Sequence, residues 1–184
     1  SDYVLYDDDA QPYTPVPPVH TTLRAGTYLR DFVTEMVDAE QPFYAQVGFA
    51  APHTQNRHGA GFLFPAPTAA NAARPVPRFR FRPERDTSDK LLPFRSVEPG
   101  HGRHYFARFH AARVRALYDV DDQVAATFDL LQATGALDET AVLFVSDNGY
   151  QLGSNGWEGK SVPYPDSLQV PMLAYYPPAF GAGV

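Results

Sequence analysis

A long helical pattern followed closely by a short apolar strand is the feature that most constrains the fold of this chain. From His104 to Thr134, apolar residues recur at spacings of three and four and form one stripe on a predicted helix. Gly135 then provides a helix terminator. Strand patterns follow at Thr140 to Val145 and at Val170 to Tyr176. This alternation predicts an α/β fold with a mostly parallel sheet flanked by helices.

The part of the chain before the long helix contains a shorter helix, a strand and an irregular segment. The pattern predicts a helix over Thr27 to Ala39 with Thr27 as its N-cap, and a buried strand over Phe43 to Ala50. From residue 51 to residue 102 the sequence is rich in Pro, Arg and Phe and keeps no period, which predicts a long irregular loop region. The carboxylates of the long helix, Asp119, Asp121 and Asp122, are expected to face solvent or to support packing.

Composition narrows the class of protein. The 184 residues suit a single domain, and a domain of this size buries roughly 70% of its unfolded surface. A net charge of −6 argues against general nucleic-acid binding, although a local pocket can still attract an anion. No apolar run approaches the length of ~18 residues that a membrane-spanning helix needs. The absence of cysteine excludes disulfides and leaves the redox compartment undecided.

The residues with the clearest chemistry follow the strand that ends at Val145. Asp147 and Asn148 offer the oxygen ligands that calcium and magnesium prefer, Gly149 permits a turn, and Lys160 offers a compact positive charge for an anion. Asn-Gly is also a strong signal for a two-residue hairpin turn, so the tripeptide alone fits either structure. Gly153 to Ser161 resembles a phosphate-binding P-loop only superficially, because one residue too many separates its glycines.

A second candidate follows the predicted strand Phe43 to Ala50. His53 lies directly after that strand, in the string Ala51-Pro52-His53-Thr54. Imidazole can donate a proton near neutral pH, which makes His53 a candidate acid for a leaving group. The alternative is a loop histidine that caps the strand end. Because parallel strands present their C-terminal ends at one edge of a sheet, we expect His53 and Lys160 to point into the pocket that holds Asp147 and Asn148.

These motifs resemble the sulfatase family of the alkaline-phosphatase superfamily, and most closely arylsulfatases and N-acetylglucosamine-6-sulfatases. The resemblance rests on Asp147-Asn148-Gly149, on Gly159-Lys160 and on the Ala-Pro-His string that ends at His53. It implies that Asp147 and Asn148 are ligands of a divalent metal, most readily Ca²⁺ with Mg²⁺ as the alternative. It further implies that Lys160 and His53 bind the substrate sulfate, and that both are catalytic residues.

The resemblance also implies residues that this sequence does not contain. The family converts a cysteine or serine in a Cys/Ser-x-Pro-x-Arg motif to formylglycine, its nucleophile, and neither a cysteine nor such a motif is present. We therefore expect an internal fragment, residues 1–184 forming a partial catalytic domain truncated at both ends. Many relatives have a histidine where this chain has Asn155, and Asn155 cannot act as an acid of adjustable pKa.

The function that the resemblance implies is sulfuric ester hydrolysis on an aryl or carbohydrate substrate, that is, a sulfated small molecule or glycan. The alternatives are a phosphodiesterase or phosphonate hydrolase of the same superfamily, and a non-catalytic relative that keeps the fold as a binding module. Family resemblance also favours an extracytoplasmic or secreted location. The oligomeric state and the identity of the sulfate ester stay open.

Overall fold

The structure is a computed structural model that describes residues 20–57, 61–80, 88 and 102–180. The chain divides into two compact units. The first contains the described residues up to Pro75 together with 112–130, and the second contains the described residues of 76–111 and 131 onward. Within the described ranges, none of the helices combines the length and the apolar character needed to cross a bilayer.

Helix α1 of the first unit spans Thr21–Asp38 and therefore begins earlier than predicted. His20 is its N-cap residue, so the assignment of Thr27 as the cap is wrong. Thr27 lies inside the helix, where its hydroxyl donates to the Leu23 carbonyl (3.0 Å). Gly26 lies inside the helix at a point of close packing, since a Cβ there would overlap the side chain of Gln123.

The segment Phe43 to Ala50 is the clearest difference from the predicted fold. It forms no regular strand, and most of its residues are exposed, Tyr44 to 81%. The segment folds back along α1, where the ring of Phe43 meets that of Phe32 edge-on with 6.1 Å between centroids. An apolar run forms a buried strand only where a neighbouring strand satisfies its backbone, and among the described residues none pairs with this segment.

The Pro-rich region is irregular where the structure describes it, apart from one small hairpin. Strand β1, Gln55–Arg57, pairs antiparallel with β2, Gly61–Leu63. Residues 64–80 contain turns but neither helix nor strand. The rest of the predicted loop region, 81–87, 89–101 and 58–60, lies outside the described residues.

Helix α2 spans Arg103–Ala133, within one residue of the prediction. Its end confirms the role of Gly135, which has φ +75°. The backbone amide of Gly135 donates to the Gln132 carbonyl (3.1 Å), and that of Ala136 donates to the Leu131 carbonyl (2.9 Å). These are the two hydrogen bonds of a Schellman cap.

Asp119 of α2 supports packing, which is one of the two roles expected for the carboxylates of this helix. Its carboxylate is 1% exposed. It accepts hydrogen bonds from the Thr68 amide (2.8 Å), the Thr68 hydroxyl and the Asn71 side chain (2.8 Å), all in the first unit. The carboxylate therefore holds the irregular segment around residue 70 against the helix. Periodicity cannot identify the residues that Asp119 contacts, because they are distant in sequence.

The strands of the second unit are antiparallel, so the mostly parallel sheet is not what the described strands form. Strand β3, Val142–Val145, pairs with the later strand β6, Met172–Tyr175, and Val145 lies opposite Met172. Between them, β4 (Gln151–Leu152) pairs with β5 (Glu158–Gly159), and a short helix α3 spans Pro165–Leu168. A parallel pair needs a crossover connection, usually a full α-helix. The α-helix in the connection between β3 and β6 is α3, which has only four residues. A last short helix, α4, spans Pro177–Phe180.

Candidate active site

The Asp147-Asn148-Gly149 tripeptide lies between β3 and β4 and is not a hairpin turn. Strand β3 pairs with β6, and β4 pairs with β5, so β3 and β4 do not form the pair that a two-residue Asn-Gly turn would join. The hairpin alternative is therefore wrong for this structure. The tripeptide instead follows a strand end, the position at which loops carry functional side chains in α/β proteins.

Local hydrogen bonds fix the orientation of the two candidate ligands. The backbone amide of Asn148 donates to the Asp147 carboxylate (2.8 Å), and the Ser146 hydroxyl donates to the backbone carbonyl of Asn148 (3.1 Å). The Asn148 side-chain nitrogen donates to the Gly149 carbonyl (2.8 Å). Because the nitrogen is engaged on that side, the side-chain oxygen Oδ1 of Asn148 faces away from its own backbone and can accept a cation or a donor.

Gly149 is required by close packing behind the tripeptide. Its amide donates to the Ser167 carbonyl (2.9 Å). A Cβ at this position would overlap the backbone carbonyl of Asp166. Backbone cannot move aside as a flexible side chain can, so glycine is the residue that lets the two segments approach and holds Asn148 where it is.

Lys160 lies next to Asn148 in space although the β4–β5 hairpin separates them in sequence. Its ammonium Nζ donates to Oδ1 of Asn148 at 3.0 Å. The pairing of Gln151 with Gly159 turns the chain back toward the tripeptide, and Lys160 follows β5 directly. The structure thus brings together one predicted metal ligand and the predicted anion-binding cation.

The hairpin is anchored to the first turns of α2 by aromatic residues that sequence reasoning missed. The Tyr105 hydroxyl donates to the Glu158 carboxylate (2.9 Å), and the Phe109 ring meets the Tyr150 ring edge-on with 5.5 Å between centroids. Burial, and then the hydrogen bond and negative charge of Glu158, raise the pKa of Tyr105 to about 12. No local motif marks this contact, since Tyr105 and Glu158 are far apart in sequence.

Asn155 belongs to the turn of the β4–β5 hairpin. It adopts a left-handed backbone conformation with φ 53°, which asparagine tolerates better than most residues. Its side-chain nitrogen lies 3.3 Å from the buried amide of Gln151, which also contacts the Ser167 hydroxyl at 3.2 Å. Asn155 therefore has a clear part in shaping the turn between β4 and β5.

His53 lies in the first unit, and its predicted convergence with Lys160 stays a prediction. The side chain is exposed, and its Nδ1 lies 2.9 Å from the Thr54 carbonyl oxygen. The other ring nitrogen, Nε2, is the atom that this contact leaves for a substrate or solvent.

The donor set fits a hard cation in part. Asp147 offers an exposed carboxylate, and Asn148 offers an amide oxygen held in a fixed direction, both suited to Ca²⁺ or Mg²⁺. Among the described residues, no group of three or more His, Cys, Asp or Glu side chains is arranged to hold a metal ion. Since Ca²⁺ takes six to eight oxygen ligands, these two residues are suited to form one side of a metal site.

Comparison with known proteins identifies the family of this chain. The sequence profile of the family described as Sulfatase matches residues 2–183. An arylsulfatase of Volvox carteri is 30% identical over 162 residues, which cover 74% of this chain and 24% of the relative. An N-acetylglucosamine-6-O-sulfatase of Bacteroides thetaiotaomicron is 34% identical over 64 residues, which cover 35% of this chain and 12% of the relative.

A solved structure shares the fold. The crystal structure of the sulfatase-family protein yidJ from Bacteroides fragilis superposes with a TM-score of 0.61 at 20% identity, over 85% of this chain and 31% of that one. The chain thus spans about a quarter to a third of the length of the proteins that it matches over most of its own residues. Because the family profile matches nearly every residue, this chain belongs to the sulfatase family.

Proposed function

We propose that the chain is the part of a sulfuric ester hydrolase that carries one side of a metal site and the lysine that binds the sulfate. The single observation that supports this most directly is the 3.0 Å contact between Lys160 Nζ and Asn148 Oδ1. It joins a cation suited to a sulfuryl oxygen with a ligand suited to Ca²⁺. Membership of the sulfatase family supplies the reaction class.

In this proposal each residue has a separate role. Asp147 and Asn148 hold a divalent metal, most readily Ca²⁺, which when bound polarises the sulfuryl group and stabilises its developing charge. Lys160 donates to a sulfuryl oxygen and adds to that stabilisation. His53 protonates the departing oxygen through Nε2, the ring nitrogen not engaged with Thr54. The nucleophile, by the family pattern a formylglycine, comes from sequence outside these residues.

The substrate class is a sulfate ester of an aryl compound or a carbohydrate. The relatives that carry the names arylsulfatase and N-acetylglucosamine-6-O-sulfatase support both parts of this class. The local positive charge of Lys160 beside a metal allows an anion to bind although the chain as a whole carries −6. An extracytoplasmic location stays a prediction.

The experiment is a kinetic comparison on the protein expressed from the complete reading frame that encodes this chain. Asp147→Ala should lower kcat/KM for an aryl sulfate by more than about 100-fold, because the metal loses its anionic ligand. Lys160→Ala should lower it by about 100- to 1,000-fold, in line with removal of one charge-stabilising donor. Asp138→Ala, which removes an exposed carboxylate of the same unit, is the matched control and should keep normal activity.

His53→Ala needs substrates with different leaving groups. If His53 is the acid, the loss should be largest for an alkyl or sugar sulfate and smallest for a nitrophenyl sulfate, whose anion leaves without a proton. Faster turnover of a phosphate diester or a phosphonate ester than of any sulfate ester would contradict the proposed reaction. Near-normal turnover by Asp147→Ala would contradict the metal assignment.

A further inference from the structure

The same oxygen atom serves two cations in this site, and this has a consequence for binding. Oδ1 of Asn148 is the proposed metal ligand, and it already accepts the hydrogen bond from the Lys160 ammonium (3.0 Å). The amide cannot turn away from Lys160 without cost, because its nitrogen donates to the Gly149 carbonyl (2.8 Å). A metal that arrives at Asn148 therefore meets a positive charge at its own ligand.

The electrostatic interaction between a metal ion at Asn148 and the Lys160 ammonium is repulsive. An amide oxygen has two lone pairs and can accept from two partners, but a divalent ion and an ammonium that share it lie close together and repel. The Asp147 carboxylate offsets part of this repulsion, since its neighbouring position puts one negative charge beside two sources of positive charge. A sulfate group placed between the metal and Lys160 would satisfy both cations at once.

We infer that Lys160 binds Oδ1 of Asn148 when no metal is present, and that it couples metal binding to anion binding. This inference rests on the proposed function. Without an anion, Lys160 weakens metal binding at Asn148. With an anion, the ammonium leaves Asn148 for the anion, and the metal and the anion then strengthen each other's binding. One residue thus has opposite effects on metal affinity in the two conditions.

The test uses Ca²⁺ alone and Ca²⁺ with methyl sulfate, a sulfate ester whose calcium salt is soluble. Because this chain carries only one side of the proposed metal site, Ca²⁺ affinity is measured on the protein expressed from the complete reading frame, by NMR titration of the side-chain amide of Asn148. Without methyl sulfate, Lys160→Met should bind Ca²⁺ about fivefold or more tightly than the wild type, the lower end of typical coupling between sites. With methyl sulfate, the wild-type affinity should rise by a similar factor, and that of Lys160→Met should not.

The chain provides a control for net charge. Its other lysine is Lys90, so Lys90→Met removes the same charge and should leave Ca²⁺ affinity unchanged in both conditions. A second measurement observes Lys160 directly in the wild-type protein. In protein labelled with ¹⁵N at lysine Nζ, Ca²⁺ should shift the Lys160 resonance, assigned with Lys160→Met, and methyl sulfate should shift it again.

The outcomes separate the inference from the proposed function. If the wild type binds Ca²⁺ and Lys160→Met binds it equally or more weakly without the anion, the coupling is wrong and the metal site stands. A Lys160 resonance that does not move when Ca²⁺ binds would likewise refute the coupling and leave the metal site intact. If neither protein shows Ca²⁺ at Asn148, the metal assignment itself is wrong and the coupling is refuted with it.

Discussion

Asn148 shows how the backbone of one residue can fix the side chain of the residue before it. Gly149 supplies both the carbonyl that holds the Asn148 amide and the space that lets its own backbone meet Ser167. The chemistry at Asn148 therefore depends on a neighbour that has no side chain. Substitutions at Gly149 and at Tyr105 test the support of the site at the scale of single residues.

Gly149→Ala should destabilise the protein and displace Asn148. The added methyl group overlaps the Asp166 backbone carbonyl, and such overpacking costs about 1–3 kcal/mol in the free energy of unfolding. Chemical denaturation measures the loss, and the side-chain amide resonance of Asn148 reports the displacement. Gly48→Ala is the matched control, because a Cβ there meets nothing within 4 Å. Equal stabilities of the two variants would contradict the close packing at Gly149.

The raised pKa of Tyr105 predicts that this residue makes a pH-dependent contribution to stability. The pKa of Tyr105 rises from 10.0 to about 12 on folding, so its contribution is fully present below pH 10 and is lost as the pH rises through 12. Between these values the unfolded chain releases the phenolic proton more readily than the folded one. The wild type should therefore lose stability relative to Tyr105→Phe over this interval.

The measurement is chemical denaturation of both proteins at a series of pH values from 9 to 12. Tyr28→Phe, which alters an exposed tyrosine of α1, retains Tyr105 and should follow the wild type. A constant difference in stability between wild type and Tyr105→Phe across the series would refute the raised pKa of Tyr105.

Elements differ in how far their sequence determined them. Helix α2 was predictable to within one residue because its apolar stripe is long and Gly135 ends it by a local hydrogen-bond pattern. The start of α1 was not, since only the packing of Gly26 against Gln123 explains a glycine inside the helix. The segment Phe43 to Ala50 has the composition of a strand, but pairing with another strand is a property of distant residues.

The candidate site divides in the same way. The tripeptide and Lys160 were identifiable from short motifs, because the chemistry of metal and anion binding restricts residue type. The contact between Tyr105 and Glu158 could not be identified from the sequence, because a hydrogen bond between α2 and β5 produces no local sequence pattern.

Asp119 connects α2 to the irregular segment of the first unit, and its removal tests that connection. Asp119→Ala leaves the Asn71 side chain and the Thr68 amide without the acceptor that they share. We expect a loss of about 1–3 kcal/mol in the free energy of unfolding for a buried donor left unsatisfied. Asp121→Ala, on the exposed face of the same helix, should change stability little. Similar losses in both variants would argue that helix charge, rather than the buried contact, matters.

At the scale of the whole molecule, the chain combines the proposed site with exposed apolar surface on its paired strands. On one face of the β3–β6 pair, Leu143, Val145 and Met172 are each at least 60% exposed. Monomeric soluble proteins seldom leave such surface open over an extended patch. The match to the Volvox carteri arylsulfatase covers 24% of that relative.

This chain by itself should not hydrolyse sulfate esters. No cysteine and no Ser-x-Pro-x-Arg motif is present, so no residue can become the formylglycine nucleophile of the family. An assay of the purified chain with a fluorogenic aryl sulfate and Ca²⁺ should give the buffer rate, and protein from the complete reading frame is the positive control. Turnover by the chain that is well above buffer, and that Lys160→Ala abolishes, would contradict the need for that nucleophile.

The pairing of Val145 with Met172 makes the site a closed loop on a two-strand base. Asp147, Asn148 and Lys160 all lie in the sequence between these two paired residues. The strands are antiparallel, so a two-residue turn could join them directly and omit everything between. The candidate site is thus carried by one loop that the β3–β6 pair closes at its base, while Tyr105 and Phe109 of α2 hold its hairpin from outside the loop.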